Sequence, residues 1–498
     1  MLKIKTARAI IAAQMRYYTN MKRLLPIYII MCVMAMLWSC SDDDYSFSSS
    51  DLLTFSTDTL SLDTVFSNVP TPTKYFWVYN NSKSNIRLQP VRLERGNQSG
   101  FRVNVDGVYL GQATGYQTNE VEVRKSDSIR VFVELTAIGG GDEDHRKIQD
   151  NIVFTTEGGA VQKVALNACS WNAVLLDNPV ISENTTFTSD KPIVISGDLT
   201  IEQDATLTLT PGTHLYFHDD SSLEVYGRLI SKGEPDNEVV LRGYRLDNMF
   251  DYLPYDRVSG QWGGVKIHEK SYGNEITYTD LHSAYDGIVI DSCDVEKTTL
   301  VMTASTVHNC QGYGIQSRCS RIELYNCQIS NTLRDCVFAD GGIVIMNHCT
   351  LAQFYPYDSA RGVALRFTSS LGGVQLYCLN SLVTGYADDE VMGEQADEAN
   401  TFYYGFQNCI LRTPEITNEN AEYFKDVKFE DVKDTLTTGK KHFVDIDTDN
   451  LKYDFRLSSV SPAIDAANPE TAWPTDRDGL PRDERPDIGA YEYRQKTE

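Results

Sequence analysis

Six short segments between residues 276 and 411 share one arrangement of residue types. Thr279, Ser305, Cys327, Cys349, Ser381 and Cys409 form a column of small side chains at intervals of 26, 22, 22, 32 and 28 residues. Two places later stand Leu281, Val307, Ile329, Leu351, Val383 and Leu411; three places earlier stand Ile276, Met302, Leu324, Met346, Cys378 and Phe406. A period of this length with variable insertions is that of a solenoid, in which each repeat buries its apolar face only against its neighbours. In a strand, residues i and i+2 share a face, so each small residue and the aliphatic one after it point inward together. The odd step from Leu324 to Cys327 breaks the period of two and requires a corner. Tyr278, Ala304, Asn326, His348, Asn380 and Asn408 occupy it. Asn tolerates the left-handed backbone of a tight bend, and stacked amides are expected to bond coil to coil there.

The recurrent Asn-Cys pairs, including His308-Asn309-Cys310, admit three chemistries. Zinc sites use paired Cys and His at short spacings, and the chain has no C-x-x-C. Disulfides remain open for Cys293, Cys310, Cys319 and Cys336, since stacked strands lie about 4.8 Å apart. For the stacked column itself, buried thiols acting as compact hydrophobes are expected.

A second alignment places charge outside the solenoid. Strands entered at Gly264, Gly287, Gly314, Cys336 and Gly362 put His268, Asp291, Arg318, Asp340 and Arg366 in one outward row. Such a rail is either a cross-strand ladder of ion pairs or the floor of a cleft for an acidic sugar, with carboxylates for acid–base or calcium chemistry.

Before Cys40 the chain reads "MKRLLPIYIIMCVMAMLWSC", a basic pair and an apolar run too short for a comfortable membrane span. It resembles a bacterial lipoprotein signal, with Met21 the expected start, cleavage after residue 39 and lipid on Cys40. The following "SDDD" resembles the acidic export signal of Bacteroidetes surface lipoproteins, which implies the outer face of the outer membrane. Residues 40–50 then form a polar tether. Loss of residues 1–39 removes six basic and no acidic residues, leaving 39 Lys and Arg against 69 Asp and Glu, a formal charge of −30. Such a surface excludes a nucleic-acid partner.

Residues 51–176 alternate in short strands such as "YFWVYN" and "IRVFVEL", separated by turns such as Asp106-Gly107, the pattern of a β-sandwich. This region resembles the immunoglobulin-like domain that follows the signal in many Bacteroidetes surface lipoproteins. From residue 177 to 425 the "PGT" turn, the "WGGV" strand entry and the column above resemble the right-handed parallel β-helix of pectate-lyase-like proteins. The expected fold is therefore all-β: a sandwich followed by a right-handed parallel β-helix.

In that family, loops such as 244–262 and 354–361 wall a substrate groove. They carry Tyr252, Tyr255, Tyr355 and Tyr357 as candidates for stacking on sugar rings, and the acidic insert 386–406 is placed to close one end. Residues 177–425 hold neither the Gly-His-Gly nor the Arg-x-Lys motif of polygalacturonases, and serine-hydrolase elbows, phosphate loops and zincin motifs are absent. Residues 426–498, with "SPAID" and "DIGAYEY", resemble the C-terminal element of many secreted bacterial β-helix proteins. Asp476, Asp478 and Asp487 there either gather calcium or shape turns that cap the open end of the helix.

The resulting expectation is a lipid-anchored surface protein whose β-helix binds an extracellular polysaccharide. A lyase or glycoside hydrolase acting at the charged row, and an adhesin or structural surface protein, are the alternatives.

Overall fold

The computed structural model describes residues 44–119, 121–139 and 144–495. The expected export segment and the expected lipidation site Cys40 lie outside them. The chain forms two compact units, one reaching Ser61 and including Thr71–Leu135 and Gln149–Asn167, the other built from Leu62–Pro70, Thr136–Ile148 and the chain from Ala168 onward.

The expected sandwich is present as two sheets. One has five strands in the spatial order Thr54–Phe55, Lys74–Asn80, Asp127–Leu135, Phe101–Val105 and Val108–Tyr109. The other orders Thr59–Phe66, Val161–Trp171, His145–Thr156, Ile86–Leu93 and Gln117–Thr118, with Val121–Val123 also paired to Ile86–Leu93. Val78, Leu88, Val103, Val131 and Leu166 are fully buried, and they alternate with less buried neighbours, as one-sided burial of a strand demands.

The β-helix has three parallel faces. Face 1 holds eleven strands, from Val174–Asp177 to Lys428–Phe429, so it begins and ends a few residues outside the expected 177–425. Face 2 carries Ser222–Val225, Gly264–Ile267, Ile288–Ile290, Leu365–Thr368 and their stacked neighbours. Face 3 carries Asn274–Thr277, Thr298–Thr303, Val374–Leu379 and theirs. The strands Ile315–Tyr325 and Val337–Asn347 run through both faces.

The register of the repeat is the one read from the letters. Ile276, Met302, Leu324, Met346, Cys378 and Phe406 stack on face 3, and Leu281, Val307, Ile329, Leu351, Val383 and Leu411 stack on face 1. All six corner residues between these faces have positive φ, from 42° at Tyr278 to 52° at Asn326 and His348. Asn309 and Cys310 do not belong to this corner. They lie at the far end of their face 1 strand, where Ser283, Asn309 and Asn331 form another positive-φ row.

Each small side chain after the corner does more than fill space. Cys327 Sγ donates to Met302 O at 3.3 Å, Cys349 Sγ to Leu324 O at 3.4 Å and Cys409 Sγ to Cys378 O at 3.4 Å. All six residues of the column also donate to the carbonyl two residues back across their own corner, as Ser305 Oγ does to Thr303 O at 2.8 Å and Ser381 Oγ to Leu379 O at 2.7 Å. A γ-atom that donates to this corner carbonyl explains why Cys, Ser and Thr share the column. All nine described cysteines are unpaired.

The tail departs from expectation. It lies along the outer side of face 1 across several coils, not over the open end. Phe443, Phe455, Leu457, Ile488 and Ala490 pack on Ala352, Phe354, Leu382 and Ile410. The corner amides anchor the tail more than one another: Asn326 donates to Thr475 O at 2.8 Å and accepts from Arg482 at 2.9 Å, and Asn380 accepts from Asn468 N at 2.8 Å. Asn380 also donates at 2.9 Å to Oδ1 of Asn347, a residue one place before the His348 corner, so this is not the expected corner-to-corner amide pair. The insert 386–406 is not a flap. It supplies the strands Val391–Glu394 and Phe402–Gln407 to faces 2 and 3.

Candidate functional site

The charged row of face 2 is real over four coils and then fails. Arg318 stands opposite Asp340, and His268 and Asp291 extend the same row through the aligned Ile267 and Ile290. Arg366, however, stands opposite Phe338, while Asp340 faces Thr368. The strand begins at Leu365 and not at Gly362, so the alignment slipped by two residues. A slip of two keeps every side chain on its face, which is why the sequence pattern did not reveal it.

Ion pairs and turns account for most of the row. His268 Nε2 meets Glu224 at 2.6 Å and Nδ1 meets Asp291 at 3.2 Å, with its ring stacked on Tyr226. Arg318 reaches Asp291 at 3.9 Å. Asp340 accepts from Ser370 Oγ and, at 2.9 Å each, from the amides of Ser370 and Leu371. Arg366 pairs with Asp335 at 2.9 Å. Asp340 and Arg366 border an open groove of about 650 Å³ with Phe338, Met392 and Glu394, but their charges are already engaged.

The aromatic loops divide likewise. Tyr252 and Tyr357 are each 57% exposed, whereas Tyr355 is buried with its hydroxyl 3.2 Å from Ser259. Tyr255 is covered by the Arg245 guanidinium at 3.6 Å. The three tail aspartates do not converge either. Asp476 accepts from the amides of Leu480 and Glu492, Asp478 is gripped by Arg456 at 2.8 and 2.9 Å, and Asp487 accepts from the amides of Asp465 and Tyr493. Asp476 and Asp487 thus hold turns and Asp478 an ion pair, and the three do not gather as one ligand set.

A different cluster gathers on the outer side of face 1. Asp280 and His282 project from the strand Thr279–His282, and His308 from Thr306–Cys310 one coil on. Asp280 Oδ1 lies 3.0 Å from His308 Nε2 and 3.2 Å from His282 Nδ1. On its other side, His282 Nε2 lies 2.9 Å from Asp256 of the loop 244–262, and Arg242 pairs with that carboxylate. The two imidazoles stack with centroids 4.9 Å apart. Trp262 donates its indole N–H to His282 O at 2.9 Å, fixing the strand end beneath the ring.

Burial by itself would make the His282 imidazolium more acidic. The carboxylates of Asp280 and Asp256 outweigh it and lift its pKa to about 9. Burial likewise opposes ionisation of both acids, yet the imidazoles hold Asp280 well below its ordinary value and, with Arg242, hold Asp256 down at about 2.

The cluster floors a cleft of about 370 Å³, walled by Arg257, Asn309, Gln328, Asn331, Lys452, Tyr453 and Tyr491. Two wall groups have no hydrogen-bond partner: both amide atoms of the buried Asn331, and the hydroxyl of Tyr453. Asp280, His282 and His308 offer three ligand atoms within 4.8 Å of one another, the metal-competent group among the described residues.

The sequence reading missed this site although a signal exists. His282 and His308 each stand three places after the small-residue column, so they must occupy one outward position in adjacent coils. Asp256 and the tail residues have no such signal, because loops bring them in.

Residues 257–376 match the family described as "Right handed beta helix region", a segment that includes the whole Asp–His cluster except Asp256. No curated protein matches the chain. Among solved structures, a pectate lyase, Pel9A, is 14% identical, with a TM-score of 0.28, covering 65% of this chain and 88% of that one. A PapD-like domain of human CEP192 is 8% identical, with a TM-score of 0.17, covering 26% of this chain and 87% of that one. Likenesses at these scores carry no argument about activity.

Proposed function

We propose that this chain is an extracellular carbohydrate-binding β-helix protein that seats a sugar unit in the cleft on face 1. The observation that carries the reading is the pair of unpartnered wall groups, Asn331 and Tyr453, beside a charged floor. A buried polar group without a partner costs about 1–3 kcal/mol, and a hydroxyl-rich ligand offers donors and acceptors at close spacing to remove that cost. The cleft falls within the roughly 300–1,000 Å³ range of small-ligand sites. Tyr252 and Tyr357, the exposed rings of the neighbouring loops, suit stacking on sugar faces. The acidic surface disfavours polyanionic glycans, so a neutral or basic sugar fits better. Attachment through lipid at Cys40 belongs to the same reading.

A second reading has its own support. A buried imidazole held between two carboxylates is a common setting for proton transfer, so cleavage of a bound glycan, if the chain performs any, belongs at Asp280, His282 and Asp256 and not at the row of Arg318 and Asp340.

The test is retention of the full chain, purified in detergent, on a broad glycan panel, with new reducing ends and unsaturated uronate followed in parallel. Tyr453→Phe removes only the hydroxyl and is expected to weaken retention several-fold. Retention that Tyr453→Phe leaves untouched would place the ligand elsewhere, and silence across the panel would sink the carbohydrate reading.

A further inference from the structure

Among the described residues, one set of side chains has the composition, spacing and surroundings of a transition-metal site. We infer that Asp280, His282 and His308 bind one divalent transition-metal ion, zinc foremost, with Asp256 as the positioning carboxylate behind His282. The inference is independent of the carbohydrate reading.

Donor type comes first. Two imidazole nitrogens and one carboxylate oxygen suit zinc and its neighbours in the first transition row better than calcium or magnesium, which take oxygen ligands.

Spacing comes second. Tetrahedral zinc with bonds of about 2.0–2.1 Å holds adjacent ligand atoms ~3.3 Å apart. Asp280 Oδ1 stands 3.0 Å from His308 Nε2 and 3.2 Å from His282 Nδ1.

Orientation is the most specific sign. His282 Nε2 is 2.9 Å from Asp256 Oδ1, so that nitrogen carries a proton and donates, and an ion binding at Nδ1 displaces the second proton of the imidazolium. His282 Nδ1 is buried and lacks an aligned hydrogen-bond partner despite its short distance to Asp280. An imidazole that donates through one nitrogen to a carboxylate and turns its other nitrogen toward a second acidic ligand is the arrangement that fixes the tautomer of a metal-bound histidine. Arg242, paired with Asp256, holds the outer carboxylate in turn.

The alternative occupant of this space is a proton shared among the three groups. It would leave His282 Nδ1 without an aligned hydrogen bond although Asp280 Oδ1 is 3.2 Å away. Three protein donors leave a fourth position facing the cleft, where Asn331 and Tyr453 present unpartnered polar atoms. A water or a ligand hydroxyl would complete the ion's shell there.

The experiment uses the full chain in detergent, stripped with chelator and titrated at pH 7 with Zn2+ alone by calorimetry. Co2+ serves as a visible-spectrum probe of the ligand set. The expected result is one ion per chain, at least a hundred-fold weaker binding in His308→Ala, and a loss of roughly 10- to 100-fold in Asp256→Asn with the Co2+ spectrum retained. His308 is partly exposed and its replacement is not expected to disturb the core. Should His308→Ala nevertheless unfold, Asp280→Asn gives the same reading. Asp291→Ala, on face 2, is the control and should bind as the parent does. Absence of stoichiometric Zn2+ binding to the folded parent, or equal binding by parent and His308→Ala, would overturn the assignment.

Discussion

Cys327 Sγ donates to the carbonyl of Met302, 3.3 Å away in the preceding coil. Cys349 makes the same reach to Leu324, and every residue of the column donates to the carbonyl two places back, so the position after the corner takes a small side chain with a donor γ-atom. Cys327→Ser is therefore expected to stay within about 1 kcal/mol of the parent in denaturant unfolding. Cys327→Leu should lose about 1–3 kcal/mol through overpacking. Equal stability of the two variants would show that volume and donor are both irrelevant there.

Arg482 is the main clasp of the tail. Its side chain is 2% exposed, pairs with Glu492 at 2.8 Å, and donates to Asn326 Oδ1 and Gly489 O at 2.9 Å each. Arg482→Met leaves Glu492 buried without a counter-charge, a change that costs about 3–5 kcal/mol in comparable pairs. Limited proteolysis should then cut within the tail first, leaving the solenoid coils protected. Arg482→Met combined with Glu492→Gln is expected to recover part of the loss.

Burial raises the Glu390 carboxyl from an ordinary 4.5 to about 8, against the pull of the Ala387 and Ala364 amides, Arg412 and Arg361. The folded chain then binds a proton that the unfolded chain has released. Stability from this group is full below pH 4.5 and falls as pH rises toward 8, by at most about 1.4 kcal/mol per pH unit. Urea unfolding at pH 5, 7 and 9 measures it. Glu390→Gln should flatten that slope, and an unchanged slope in the variant would assign it to another group.

Two residues of the face 2 row should behave differently although they stand opposite each other. Arg318 is 45% exposed with its carboxylate partner 3.9 Å away, so Arg318→Ala is expected to change stability by less than about 1 kcal/mol. Asp340 holds the amides of Ser370 and Leu371. Asp340→Ala should cost about 1–3 kcal/mol and speed hydrogen exchange at those two amides. Neither substitution should alter glycan retention at the face 1 cleft.

The repeat was legible because a solenoid stacks like on like. Once Cys327, Cys349 and Cys409 were aligned, the buried rows and the corner followed from the strand period alone, and positive φ at Asn326, Asn380 and Asn408 is what a bend between two inward-facing strands demands. Arg366 shows where that reasoning stops. A two-residue slip preserves which side of the sheet every side chain faces, so only the hydrogen-bonded pairing of Phe338 with Arg366 exposes it.

Local pattern thus determined the all-β class, the parallel coils, the inward column and the sandwich-to-solenoid order, since each depends on spacing along the chain. Tertiary structure decided where the tail lies, what Asp476, Asp478 and Asp487 do, and which ionisable groups meet. Asp280 and His282 share a strand, but Asp256 comes from a loop, His308 from the next coil and Tyr453 from the tail. Their charges interact over a few ångströms of space, a distance that sequence separation does not encode.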